Sequence, residues 1–210
     1  MRHEPETKAP AAPPAAGDAG VEARHVSAWS TRDKARRVLW WFVQATVWRW
    51  SFHNFYGFRR WVLRCFGAQL SPTARLRPSV RIECPWNLRV GAHTTVGDRA
   101  NLYALGEVVL GDRVTVSQGS HLCAGTHDHT HPDAPLVTRP IVIGDDAWVA
   151  ADAFVGPGVT VGEGAVLGAR GAAFKDLDGW TIYGGNPAKP LKERKITPPP
   201  PTPPAASTDR

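Results

Sequence analysis

The sequence predicts an all-β solenoid, a parallel β-helix entered through a helical segment rich in tryptophan and arginine. Two observations carry the solenoid. Aliphatic residues recur every six positions at Leu70, Leu76, Ile82 and Leu88, at Val90, Val96 and Leu102, and at Leu110, Val116 and Leu122. After an interruption the spacing runs unbroken through Ile143, Val149, Val155, Val161 and Leu167. The following residue is often glycine (Gly91, Gly97, Gly111, Gly144, Gly156, Gly162, Gly168), and the fourth after the aliphatic is often small (Thr94, Ala100, Ala147, Ala153, Ala165). Neither the helical nor the simple strand period explains a glycine tied to each aliphatic. A two-residue strand with one inward aliphatic, then a turn that needs an unhindered backbone, does explain it. Three such hexads close a triangular coil, and stacked coils bury the aliphatics as a ladder.

The 210 residues suffice for one domain and are too few for two large ones. Residues 1–28 are Ala/Pro-rich and residues 197–210 read as a polyproline-prone tail, so both are expected to be disordered. Between them lie the helical segment 29–66, the repeat region 67–187 and a C-terminal extension, 188–196. No apolar core marks a signal peptide after Met1. The longest uncharged apolar-rich run, Val38 to Trp48, has 11 residues, well short of the ~20 that span a bilayer. Three cysteines, Cys65, Cys84 and Cys123, share no CxxC spacing, so neither a disulfide framework nor a zinc cluster is indicated, and reduced thiols suit a cytoplasmic chain.

The net charge of +6 is unevenly spread. Segment 29–66 holds eight Lys/Arg and one Asp, leaving the rest of the chain at −1. A folded body without excess positive charge argues against nucleic acid as a partner. Six of nine tryptophans fall in the same segment, between Trp29 and Trp61. Ser30 or Thr31 can cap its first helix, and a break is expected near Asn54 and Gly57. Apolar side chains surround this helix, and arginines flank it at Arg36, Arg37 and Arg49, followed by Arg59, Arg60 and Arg64. Two readings stay open: a helix lying in a membrane interface, or one packed on the main domain or a subunit contact.

The units VGAHTT, VGDRAN, LGDRVT, IGDDAW, VGPGVT, VGEGAV and LGARGA resemble the hexapeptide repeats of left-handed β-helix acyltransferases. More narrowly, PWNLRVG, SQGSHLCAGTHDH, FKDL and GGNPAK, with the run from RPIVIGDDAW to GAVLGA, are similar to the acetyltransferases of colanic acid and related exopolysaccharide biosynthesis. The similarity covers roughly residues 38–196. It implies a left-handed coil, a hand the periodicity does not determine and the reverse of the usual crossover rule.

One long insertion, residues 125–140, interrupts the repeat, and loops on rigid scaffolds often carry function. It holds His127, His129 and His131 beside Asp128 and Asp133. A zinc site is disfavoured because nothing else converges on them in sequence, and no metal is expected. His129 and His131 read as solvated. His127 closes the hexad LCAGTH and matches the family's catalytic histidine in GTHD. An alcohol is un-ionised near neutral pH, so its attack on a thioester needs a base, and imidazole suits that task. The second ring nitrogen must then donate to an acceptor, a backbone carbonyl or a carboxylate.

The resemblance implies further roles. Asn101 matches an asparagine that polarises the acceptor; its structural alternative is a corner-forming residue. Trp148 matches an aromatic lining the acceptor and pantetheine channel. Acetyl-CoA is the implied donor, its arm running along main-chain groups near Ala151 and Ala169. Lys175, beside Phe174, and Lys189 match positions that meet the nucleotide phosphates. Phe174 stands where a threonine-like residue is common, and the aspartate of maltose-type relatives has no counterpart; Glu107 lies nearby without that role. The family assembles as homotrimers with sites between neighbouring coils.

The expected function is acetyl transfer from acetyl-CoA to a sugar hydroxyl, on a sugar or lipid-linked glycan in exopolysaccharide biosynthesis. The expected location is the cytoplasm, peripheral on the inner face of the membrane through residues 29–66. Three alternatives remain: an amino-sugar N-acetyltransferase, a non-catalytic hexapeptide scaffold, and a metal-dependent hydratase of the same fold. The bunching of the histidines in one loop speaks against the last.

Overall fold

The computed structural model describes residues 29–197; residues 1–28 and 198–210, on which the expected disorder of the two tails falls, lie outside the described residues. The body is a left-handed parallel β-helix whose strands form three sheets, the faces of a triangular prism. The first sheet stacks Gln69–Leu70, Leu88–Val90, Val108–Leu110, Ile141–Ile143 and Thr160–Val161. The second stacks Arg75–Leu76, Thr95–Val96, Thr115–Val116, Trp148–Val149, Val166–Leu167 and Thr181–Gly184, closed by the antiparallel Lys189–Glu193. The third stacks Arg81–Ile82, Asn101–Tyr103, His121–Cys123, Phe154–Val155 and Ala172–Ala173.

Each predicted aliphatic points inward. Leu76, Val96, Val116, Val149 and Leu167 form one buried column down the second sheet, and the other two sheets repeat the pattern. The small residues Thr94, Ala100, Ala147, Ala153 and Ala165 are buried at the corners. The corner glycines answer to close stacking of coils. A Cβ on Gly162 would stand 2.5 Å from the backbone nitrogen of Gly179 in the next coil. The left-handed backbone of the turn falls two residues later, where Arg99, Arg113, Asp146 and Arg170 take positive φ. Of the shifts in phase, the first is a 3₁₀ turn at Pro85–Asn87, pinned where Asn87 donates to the carbonyls of Ala104 and Leu105.

The entry segment forms α1 (Thr31–Val43), a wider π turn (Gln44–Trp48) and α2 (Tyr56–Cys65). Ser30 caps α1 by accepting from the Asp33 N–H. The break spans the residues before Tyr56, and Gly57 lies inside α2.

This segment closes the open end of the solenoid. The first coil sends the N–H groups of Ser71, Arg75, Arg77, Arg81 and Glu83 to the second coil. Its carbonyls at Leu70, Ala74, Leu76, Val80 and Ile82 therefore face the other way, with no coil beyond to satisfy them, and unpaired buried carbonyls are costly. Five side chains supply the missing donors. Arg64 reaches Leu70 (2.6 Å), Arg60 reaches Ala74 (2.9 Å) and Arg59 reaches Leu76 (2.8 Å). The indoles of Trp48 and Trp40 donate to Val80 (3.2 Å) and Ile82 (2.6 Å). Arg59 is fully buried and also donates to Ser51 and the carbonyls of Phe52 and His53. Arg36 bonds the carbonyl of Phe66 and Arg37 pairs with Glu83, so most of the segment's arginines are spent on the protein itself. Of the two open readings, packing on the main domain describes this inner side.

Candidate active site

The insertion folds as a β-hairpin, Gly125–His127 against Leu136–Thr138, that leaves the prism just after the third-sheet strand ending at Cys123. His127 ends the first hairpin strand and is exposed. Its Nδ1 lies 2.6 Å from the carbonyl oxygen of Ala134, which sits in the hairpin tip with φ 44°. A carbonyl only accepts, so Nδ1 carries the proton and neutral His127 presents a bare Nε2 to solvent. That is the arrangement a general base needs.

The tip around His127 is ordered by its own polar groups. Asp128 accepts from the N–H and hydroxyl of Thr130, and these bonds hold its carboxyl below the usual range. His129 and His131 are exposed, and His131 faces Asp133 at 3.6 Å. Among the described residues no three His, Cys, Asp or Glu side chains are grouped to hold a metal ion. Of the cysteines, Cys84 is buried and its thiol is pushed up to about 12, chiefly by that burial.

Asn101 opens a third-sheet strand, outward and partly buried, in register with Arg81 and His121. Trp148 lies on the second sheet, 44% exposed, its indole held by donation to the Ser117 hydroxyl at 2.8 Å. The two side chains therefore stand on different faces of the prism. Ala151 and Ala169 occupy the same corner, between second and third sheets, in successive coils, and Arg170 donates its N–H to Ala151 across them. Phe174 and Lys175 follow the last third-sheet strand, both exposed, with Phe174 against Phe154 at 5.6 Å. Lys189 is exposed and begins the closing strand opposite Gly184. Glu107 is engaged by Arg89 at 2.6 Å. Among the described residues, open hollows lie at Phe52–Phe55 and between Gln69 and Leu110; none of the candidate site residues His127, Asn101, Trp148, Ala151, Ala169, Phe174, Lys175 and Lys189 lines either one.

One neighbour escaped sequence reasoning. His121 adjoins Asn101 across the ladder, edge-on to Tyr103 and Phe154, and its buried Nε2 has no partner among the described residues. Burial pulls its pKa down. It occupies the outward place before Leu122, where the hexad pattern allows any residue.

Residues 140–170 match the family model for bacterial transferase hexapeptide (six repeats). Over 159 residues the chain is 47% identical to an Escherichia coli K12 protein named as the colanic acid biosynthesis acetyltransferase WcaF, covering 76% of this chain and 87% of that one. Among solved structures it is similar to a galactoside acetyltransferase in complex with coenzyme A (TM-score 0.74, 20% identity, 80% of this chain and 86% of that chain). It is also similar to a hexapeptide-repeat acetyltransferase of Vibrio cholerae complexed with acetyl-CoA (TM-score 0.72, 22% identity, 84% and 99%). The repeat, the fold and near-half identity over most of both chains converge: the protein belongs to the hexapeptide-repeat acetyltransferases.

Proposed function

We propose that the protein moves the acetyl group of acetyl-CoA to a sugar hydroxyl in exopolysaccharide synthesis, with His127 as general base. The observation that carries this reading is the His127–Ala134 bond, which leaves Nε2 free to take a proton. Acetyl-CoA supplies an activated thioester carbonyl. His127 Nε2 takes the proton of the acceptor hydroxyl as that oxygen bonds to the carbonyl carbon. It returns the proton to the sulfur as the carbon–sulfur bond breaks, so the products are an acetyl ester and free thiol. Asn101 orients the acceptor or stabilises the developing oxyanion with its amide.

The small side chains at Ala151 and Ala169 leave the stacked corner backbone open to a pantetheine arm, with Trp148 as an apolar wall. Phe174 offers a flat exposed ring nearby, and Lys175 and Lys189 are exposed cations suited to the nucleotide phosphates. Because Asn101 and Trp148 stand on different faces and His127 projects outward, the site is completed by a neighbouring copy, in a homotrimer. The acceptor is a sugar or a lipid-linked glycan, handled at the inner face of the cell membrane. Among the described residues no helix is long and apolar enough to cross a membrane.

Acetyl-CoA turnover with a panel of nucleotide-linked and lipid-linked sugars tests the reading. His127→Ala is expected to lose at least ~10²-fold in kcat without loss of folding. An unimpaired His127→Ala enzyme removes His127 from the mechanism.

A further inference from the structure

The inner side of the entry segment is spent on the solenoid, but its outer side is not. Lys34, Val38, Phe42, Ala45 and Arg49 follow one another at helical spacing along α1 and the π turn, and all five are exposed. Trp41 flanks this stripe at 69% exposure, and Trp50, Phe52 and Phe55 extend it through the following turn at 84%, 75% and 54%. The stripe is roughly 22 Å long, with a cation at each end and apolar side chains between. Arg32 is a third exposed cation near its start. The segment's one acidic residue, Asp33, is held against Ser30.

We propose that this outer surface docks on an anionic phospholipid bilayer. The reading rests on the membrane-side placement proposed above and names the surface responsible. Aromatic rings enter the headgroup boundary, while Arg32, Lys34 and Arg49 reach back to lipid phosphates along their apolar stems. The arginines of α2 take no part, because the first coil's carbonyls hold them. Charge decides between lipid and a second copy. A symmetric contact through this patch sets like cations against each other with no exposed carboxylate to pair them, whereas lipid phosphates supply the missing anions.

Flotation of the full chain with phosphatidylcholine vesicles, with and without phosphatidylglycerol, tests the proposal without sugar or acetyl-CoA present. The wild type is expected to float with the anionic vesicles at low salt and to detach as salt rises. The variant W41S/F42S/W50S is expected to bind at least ~10-fold more weakly with an unchanged melting temperature. R32Q/K34Q/R49Q is expected to lose the preference for phosphatidylglycerol. No flotation of the wild type overturns both the docking surface and the membrane placement. Undiminished flotation of W41S/F42S/W50S overturns the surface alone. A change of oligomeric state in that variant assigns the patch to a contact between copies and also overturns the proposal.

Discussion

The carbonyl of Ala134 sets the proton of His127. The two residues are seven apart in sequence and 2.6 Å apart at Nδ1, brought together by the hairpin that pairs His127 with Leu136. The insertion thus carries both the proposed base and the group that fixes its tautomer.

Disturbing Ala134 should slow the enzyme while leaving His127 in place. Ala134 sits at φ 44° and donates its own N–H to His131, so proline is incompatible with both its backbone angle and its bond. Ala134→Pro is expected to lower kcat by roughly tenfold or more, whereas Ala134→Gly, which accepts that angle freely, should stay near wild type. Steady-state kinetics on the two variants, with KM separated from kcat, makes the comparison.

Arg59 should be among the costliest side chains to remove. It is buried and donates to four oxygens, those of Leu76, Ser51, Phe52 and His53, and burial pulls its pKa below the ordinary value without discharging it. Arg59→Met strands these acceptors beneath the first coil, at an expected cost of about 3 kcal/mol or more. Thermal or urea unfolding measures it. A variant as stable as wild type contradicts the role of the segment as a cap.

His121 should make the fold acid-sensitive. Its folded pKa is lowered from 6.5 by burial, so below that value the unfolded chain binds a proton that the folded chain refuses. Its contribution to stability is present above about pH 6.5 and is lost as pH falls toward the depressed folded value. His121→Phe, which keeps a ring between Tyr103 and Phe154, is expected to shrink the drop in melting temperature between about pH 7.5 and about pH 5.5. An unchanged drop excludes His121 as the source.

The solenoid was legible in the sequence because its requirements are local and repeated. One inward aliphatic, one corner without a Cβ and one small residue recur every hexad, and each side chain meets its own image one coil away. The general-base candidate was legible for a related reason: His127 stands where the repeat stops. His121 was not, since the hexad pattern constrains inward positions and is silent on outward ones.

The entry segment marks the division between the two sources. Hydropathy makes Trp40 and Trp41 equivalent, yet one is buried with its indole on Ile82 and the other is 69% exposed. Nothing local separates them. The row of carbonyls that the first coil cannot pair, at Leu70, Ala74, Leu76, Val80 and Ile82, selects which tryptophans and arginines turn inward, because an unsatisfied buried acceptor costs more than a side chain costs to order. Sequence by itself determined a stack of hexads interrupted by one histidine-bearing insertion, with an aromatic, basic entry. The tertiary structure decided which of those aromatic and basic groups close the stack, which are left for solvent or lipid, and which nitrogen of His127 holds its proton.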